Sequence, residues 1–239
     1  MGGIIVLSLI AGLGTCLGAV IVVMFGSLKA RSLSFFLGLA SGVMTAVIIF
    51  DLIPSSLRYG NLFYCLSGFA GGIILMLSLE FLLHYYNPEN NYNYGYLKMG
   101  YLIALGIALH DFPEGLAIAA GYAAATNLGP VLTLAIGLHN IPEGMATAAP
   151  LWLGNWKARN IIGLNALVSM VTPAGTLLGL KLLETSNKFI SLLLSFAAGA
   201  MAYIVYAKLF PESRNQHRPL AFFGCLFGFI CLIFISAIA

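Results

Sequence analysis

The chain alternates between long apolar stretches and short polar breaks over its whole length. A helix needs about 20 apolar residues to cross a bilayer core of about 30 Å. Cutting the chain at its charged and Asn/Pro-rich breaks leaves eight stretches of roughly that length. The pattern therefore predicts an all-α membrane protein, an eight-helix transmembrane bundle that forms a single domain over residues 1–239. The predicted spans are 3–25, 33–54, 61–84, 98–122, 127–149, 159–181, 188–210 and 219–238.

The polar breaks predict how the bundle is oriented. The longest of them, Asn87 to Lys98, is predicted to be an Asn/Tyr-rich loop of low order. Cytoplasmic loops of membrane proteins are enriched in lysine and arginine, so the more basic side is predicted to be cytoplasmic and both termini to lie outside the cytoplasm. Eight crossings leave Arg58, Lys181 and Lys188 on one side, and on the other Lys29, Arg31, Lys98, Lys157, Arg159, Arg214 and Arg218.

Composition supports the same class of protein. Hydrophobic residues make up 60% of the chain and charged residues only 8%, with a mean hydropathy of +0.97. A soluble domain carries about a quarter charged residues, so the lipid bilayer is the surrounding that suits this surface. The sequence contains no basic cluster or stripe, which excludes a nucleic-acid-binding protein. Whether the chain forms a homodimer is left open.

Two sequence repeats connect helices that are predicted to run in opposite directions. The segment LHDFPEG from Leu109 on span four returns as LHNIPEG from Leu138 on span five. More faintly, GVMTAVIIFDLIPSS from Gly42 on span two resembles GAMAYIVYAKLFPES from Gly199 on span seven. Similar sequences on oppositely directed helices indicate inverted repeats, which are common among secondary transporters with a binding site near the membrane midplane.

Three carboxylates are predicted at that midplane. His110 and His139 each lie about 18 Å into their spans, counted at 1.5 Å per residue. A charged carboxylate at this depth costs about 2.5–3.5 kcal/mol on insertion scales, and Asp111, Glu114 and Glu143 all stand there. Unpaired carboxylates do not persist in such surroundings, so these three must share a cation or protons.

The spacing of the motifs favours a cation. In each H-x-x-x-E motif the imidazole and the carboxylate are four residues apart, on one face of a helix. Nitrogen and oxygen ligands in this mixture suit first-row divalent metals such as Zn²⁺, Fe²⁺ or Mn²⁺. The candidate ligands on the two facing helices are His110, Asp111, Glu114, His139, Asn140 and Glu143.

The prolines of the two motifs predict kinks in helices four and five. Proline has no N–H and its ring clashes with the carbonyl four residues earlier, so Pro113 disturbs Leu109 and Pro142 disturbs Leu138. Membrane helices tolerate such freed backbone groups where they line a site or cavity.

The paired HDFPEG and HNIPEG motifs closely resemble those of the ZIP (Zrt/Irt-like) family of divalent-metal transporters, in particular its short bacterial members. The resemblance implies an eight-helix bundle with a metal site between helices four and five, formed by the six candidate ligands. It also implies Met44 as a soft ligand and Asp51 as a residue near the outer mouth that draws cations in. The implied substrate is Zn²⁺ first, with Fe²⁺, Mn²⁺, Cd²⁺ and Co²⁺ as alternatives, carried toward the cytoplasm through a bacterial inner membrane.

Two departures from the family pattern change the charge of the transport path. Thr172, in TPAG, stands where the family often has glutamate, so three carboxylates remain to balance the metal and we expect one tightly held ion rather than two. Lys208, in KLFPES, also replaces a family glutamate. The favoured interpretation is a lysine that snorkels to the cytoplasmic interface; the alternative is an ammonium that alters the exit path.

Other classes and residues stay open beside the transporter. Glu80 and His84, one turn apart on span three, are candidates for a relay of departing metal, against the alternative of ordinary interfacial polar residues. A metal sensor or non-transporting homologue gains weight from Thr172 and Lys208. An intramembrane metalloenzyme would need an open coordination position and a general base; the sequence contains no HExxH, and we predict that the protein is not an enzyme.

Overall fold

The structure is a computed structural model that describes residues 2–25, 30–86, 92–123, 128–181 and 187–238, all of them helical or in short turns. Within these ranges the chain forms eight helical runs. They are α1 Gly2–Phe25, α2 Ala30–Tyr59, α3 Leu62–Tyr86, α4 Tyr92–Ala123, α5 Leu128–Leu153, α6 Ala158–Lys181, α7 Asn187–Gln216 and α8 Arg218–Ile238. Five of the runs, α1, α2, α3, α6 and α7, are long and apolar enough to cross a membrane.

The helix bounds correct one prediction. The segment from Asn87 to Lys98 was expected to be a loop, but from Tyr92 onward it belongs to α4. Residues 87–91 lie outside the described part of the chain. Because a helical backbone satisfies its own hydrogen bonds, the polar side chains of this segment do not prevent the helix from starting there.

Large apolar side chains cover the outside of the bundle, as expected for a surface in contact with lipid. Phe63, Leu134 and Phe222 are each more than half exposed. The interior is also mainly apolar, and it holds a set of fully buried polar residues at the contact of α4, α5 and α6. The protein is thus apolar outside and locally polar inside, the reverse of a soluble domain.

The helices pair in two matching sets. α1 packs on α5 as α4 packs on α6, and α2 packs on α8 as α3 packs on α7. α2 and α7 also share an irregularity, since each contains a π-helical segment, Val47–Leu52 in α2 and Val205–Leu209 in α7. These are the two helices whose sequences resemble each other, so similar sequence has produced similar local structure.

Buried serine hydroxyls join α2 to α7 at both ends of the two helices. Ser34 near the start of α2 donates to the Ser213 carbonyl near the end of α7, at 2.9 Å, and Ser213 donates back at 2.6 Å. At the other end, the Ser56 hydroxyl donates to the Ser191 carbonyl at 2.8 Å. All four serines are buried, where each satisfied hydroxyl avoids the cost of an unpaired polar group.

The helices α4 and α5 continue through the prolines of their motifs. Pro113 lies inside α4 and Pro142 inside α5, without interruption of either helix. The predicted kinks remain a prediction.

Candidate metal centre

The two histidine–glutamate motifs meet where α4 packs on α5. Within α4, His110 Nε2 lies 2.7 Å from Glu114 Oε1, as the four-residue spacing predicts. His139 Nε2 of α5 lies 2.7 Å from the same oxygen. The two imidazole rings are 6.0 Å apart between centroids. The Glu114 carboxylate therefore contacts both histidines, and the two motifs form one cluster.

A second group shares His110 and adds two carboxylates. His110, Asp111 and Glu143 each offer one ligand atom, and these atoms lie within 4.8 Å of one another. Asp111 and Glu143 are completely buried, yet none of their four carboxylate oxygens has a hydrogen-bond partner among the described residues. His110 Nε2 lies 3.6 Å from Glu143 Oε1, too far for a strong hydrogen bond, and buried charges without hydrogen bonds are costly. A divalent cation would remove that cost, and the available nitrogen and oxygen atoms are ligands it accepts.

Asn140 completes the group on α5. Its amide nitrogen donates to the carbonyl oxygen of Ala11 in α1 at 3.0 Å, which fixes the direction of the side chain. Its Oδ1 has no hydrogen-bond partner among the described residues. The amide oxygen is therefore free to act as a neutral ligand, and α1 serves as its support.

Thr172 on α6 lies beside the Asp111 carboxylate and is fully buried. A carboxylate at this position would stand directly next to the cluster. The Thr172 hydroxyl adds no charge there. Threonine in place of the expected glutamate therefore leaves the cluster itself with one negative charge fewer.

Two glycines allow the neighbouring helices to approach the motifs. A Cβ on Gly144 would overlap the Thr15 carbonyl of α1, and a Cβ on Gly115 would overlap the Thr172 carbonyl of α6. Only glycine fits at such close helix crossings. α1 thereby packs closely on α5, and α6 packs closely on α4. Each close contact lies at the helical turn that carries the glutamate of the motif.

Two further residues expected to contact the metal or its route, Met44 and Asp51, lie in α2. Met44 is buried in the main apolar cluster, and its role as a ligand remains a prediction. Asp51 is exposed and lies in the π-helical segment. Its carboxylate is within electrostatic range of His110, His139 and Glu114, a position suited to attracting a cation toward the cluster.

Lys208 has a charged partner on a neighbouring helix. The Lys208 ammonium donates to Glu80 on α3, and the Tyr203 hydroxyl donates to the other oxygen of the same carboxylate. The partly buried lysine is therefore held by an ion pair at this end of the bundle, and both interpretations of Lys208, the snorkelling lysine and the altered exit path, stay predictions. The side chain of His84 lies outside the described residues, so the relay of Glu80 with His84 stays a prediction.

Tyr203 was missed by the sequence analysis. It precedes Lys208 on α7 by little more than one turn, but its partner lies on α3, far away along the chain. No motif in the sequence pairs these two helices, so only the tertiary contact could reveal it.

Fold and cluster together define an all-helical integral membrane protein whose interior holds a buried set of histidine, carboxylate and amide side chains. Comparison with known proteins gives the family. Residues 91–236 match the family model described as ZIP Zinc transporter. The chain belongs to the ZIP family.

Similarity to individual family members extends beyond the matched region. The zinc transporter GufA of Myxococcus xanthus is 31% identical, over 96% of this chain and 96% of its own length. The zinc transporter ZupT of Chlorobium chlorochromatii is 30% identical over 95% of this chain and 93% of its own length, and that of Corynebacterium glutamicum is 32% identical over 93% of each. The resemblance inferred from the two motifs is thus confirmed over nearly the full chain.

Membership of this family also decides the question of enzymatic activity. Its members are zinc transporters, which are not enzymes. The prediction of a transporter rather than a metalloenzyme is confirmed at this level.

Proposed function

We propose that this protein carries divalent metal cations, Zn²⁺ first among them, across a bacterial inner membrane toward the cytoplasm. The observation that carries the proposal is the pair of fully buried carboxylates, Asp111 and Glu143, which lie beside His110 without hydrogen-bond partners in the described chain. The zinc transport named for its relatives supports Zn²⁺ as the substrate. The proposed ligands are His110, Asp111, Glu114, His139, Asn140 and Glu143, with Met44 as a soft ligand.

The proposed architecture is a single transmembrane transporter domain over residues 1–239, in which all eight helical runs cross the bilayer. An inverted repeat would relate α1 to α6, α2 to α7, α3 to α8 and α4 to α5. The matching helix pairs and the reciprocal serine contacts between α2 and α7 support this relation. Such a repeat allows alternating access, because one helix group can rock against the other around a fixed central site.

The proposed direction follows from the charges at the two ends of the path. Metal would approach past Asp51, lose its water, and bind between α4 and α5. With both termini outside the cytoplasm, the end of the bundle at Lys98 and Arg214 faces inward, in agreement with the positive-inside rule.

Reconstituted protein in dye-loaded vesicles tests the transport proposal. We expect saturable uptake of Zn²⁺, with the rates for Fe²⁺, Mn²⁺, Cd²⁺ and Co²⁺ ranking the alternatives. A tag on the C-terminus marks the proposed outer face, so loading should be faster from the tagged side. Metal binding without flux would contradict the proposal and favour a sensor or a non-transporting homologue.

The charge of the cluster predicts how many ions it holds. Asp111, Glu114 and Glu143 supply three negative charges, so one divalent ion leaves one negative charge and two ions leave one positive charge in a buried site. We expect equilibrium dialysis with Zn²⁺ to give one tight equivalent per chain. Thr172→Glu adds the missing carboxylate and is expected to raise the count to two; two tight equivalents in the unmodified protein would contradict the prediction.

A further inference from the structure

The end of the bundle opposite Asp51 contains a cavity of about 480 Å³ between α3, α4 and α7. Its lining includes the charged side chains of Glu80, Lys98, Lys208 and Glu212 and the apolar residues Met99 and Leu102 of α4. The Glu212 carboxylate accepts hydrogen bonds from Tyr96 and Gln216. This is the end proposed to face the cytoplasm. The cavity is therefore the space that a departing ion would reach after leaving the central cluster.

An apolar layer separates the cavity from the cluster. Leu102, Gly106 and His110 follow one another at four-residue steps, so they lie on one face of α4. A Cβ on Gly106 would meet the side chains of Ile204 and Met76, which are both fully buried. Met76 of α3 and Ile204 of α7 thus close the path between His110 and the cavity.

Glu80 and Lys208 are the first charged groups beyond this layer. Glu80 lies one helical turn after Met76 on α3, and Lys208 lies about one turn after Ile204 on α7. Their ion pair joins the two helices at that level, and the Tyr203 hydroxyl binds the remaining oxygen of Glu80. Both oxygens of this carboxylate are thus engaged, whereas those of Asp111 and Glu143 in the cluster accept no hydrogen bond from the described residues.

The corresponding position in α2 has the opposite charge. Aligning the repeated segments from Gly42 and Gly199 places Asp51 opposite Lys208. At one end of the path, an exposed aspartate lies within electrostatic range of the cluster. At the other end, the equivalent position supplies a cation, and that cation is already bound to a carboxylate.

We propose that Lys208 is a tethered counter-ion that fills the cation position of Glu80, so that a divalent ion passing the Met76–Ile204 layer is not retained by the Glu80 carboxylate directly beyond it. Opposite charges attract strongly in surroundings of low dielectric constant, and an unpaired glutamate there would bind the departing metal and delay its release. The ammonium prevents this trapping, while Tyr203 holds the carboxylate in place. This inference rests on the proposed transport of divalent cations.

Removing the ammonium tests the inference. In Lys208→Gln, Glu80 loses its counter-ion, and we expect equilibrium dialysis to show one Zn²⁺ equivalent more than the unmodified protein binds, together with severalfold slower uptake into vesicles. Adding Glu80→Gln to this variant removes the new site and should return both the count and the uptake to the unmodified values. Lys181→Gln, at an exposed lysine in the last turn of α6, is the matched control for loss of one positive charge.

A second comparison does not depend on the folding of Lys208→Gln. Glu80→Gln alone leaves an unpaired ammonium in the cavity, which repels the departing ion, so uptake should fall without any additional bound Zn²⁺. The double variant should then transport severalfold faster than Glu80→Gln.

The outcomes separate this inference from the proposed function. An unchanged Zn²⁺ count in Lys208→Gln, or equal uptake in Glu80→Gln and the double variant, would overturn the role of Lys208; a mere strut between α3 and α7 predicts that result, with lower thermal stability in all three variants. Absence of Zn²⁺ uptake by the unmodified protein would overturn the transport proposal instead.

Discussion

Glu143→Gln is expected to lower Zn²⁺ uptake by at least about tenfold. The substitution keeps the size of the side chain and removes one negative charge from a fully buried group whose two oxygens accept no hydrogen bond from the described residues. Loss of a residue that merely supports a metal ligand costs about 10–100-fold in metal affinity or activity, and a direct ligand should cost at least as much. Uptake into vesicles and equilibrium dialysis of Zn²⁺ on the same preparation measure the effect.

Glu212→Gln is the matched control for this prediction. The Glu212 carboxylate already accepts hydrogen bonds from the Tyr96 hydroxyl at 2.8 Å and from the Gln216 amide at 2.7 Å, and it does not belong to the buried cluster. Because Glu212 lines the cavity at the other end of the bundle, its replacement is expected to leave the Zn²⁺ bound by the cluster unchanged in equilibrium dialysis, whereas Glu143→Gln lowers it. Equal losses in Glu143→Gln and Glu212→Gln would refute a specific role for Glu143.

Gly144→Ala is expected to destabilise the protein by about 3 kcal/mol, because the added methyl group would overlap the backbone carbonyl of Thr15. Overpacking of a close contact typically costs about 1–3 kcal/mol, and a backbone group cannot move aside as a flexible side chain can. For a chain of this size the loss corresponds to a decrease of roughly 6–12 °C in Tm. Thermal unfolding in detergent measures it, and Gly115→Ala, which meets the Thr172 carbonyl, should show a similar loss.

Gly163→Ala provides the comparison for Gly144→Ala. No atom lies within 4 Å of a Cβ built on Gly163 in α6, so the new methyl group has room. Alanine is favoured over glycine inside a helix by up to about 1 kcal/mol, and Tm should stay constant or rise slightly. If both variants unfold at the same temperature, the close contact between α1 and α5 does not limit stability.

The hydrophobic pattern predicted the helices closely because each membrane helix is determined locally. A stretch of apolar residues must satisfy its backbone hydrogen bonds within itself, whatever its neighbours are. The part of the loop prediction that was wrong, from Tyr92 to Lys98, came from polar composition, which lowers hydropathy without preventing a helix. Side-chain polarity and backbone conformation are separate properties, and the residues from Tyr92 onward show the difference.

The candidate ligands could be found from the sequence because their information is local and duplicated. Four-residue spacing places His110 and Glu114 on one face of a helix, and the repeat on the next helix supplies His139 and Glu143 in the same way. That these two faces meet, so that Glu114 contacts both histidines, depends on how α4 packs on α5.

What the sequence by itself determined is the class of the protein, its helices, its family and the residue types available to a cation, since apolar length, helical spacing and motif are all properties of short segments. Only the tertiary structure decided that Glu80 of α3 binds Lys208 and Tyr203 of α7, and that Asn140 is supported by Ala11 of α1. The physical reason is that such contacts join side chains from helices distant along the chain. Their partners are selected by close packing at glycine crossings and by the cost of leaving a buried charge unpaired.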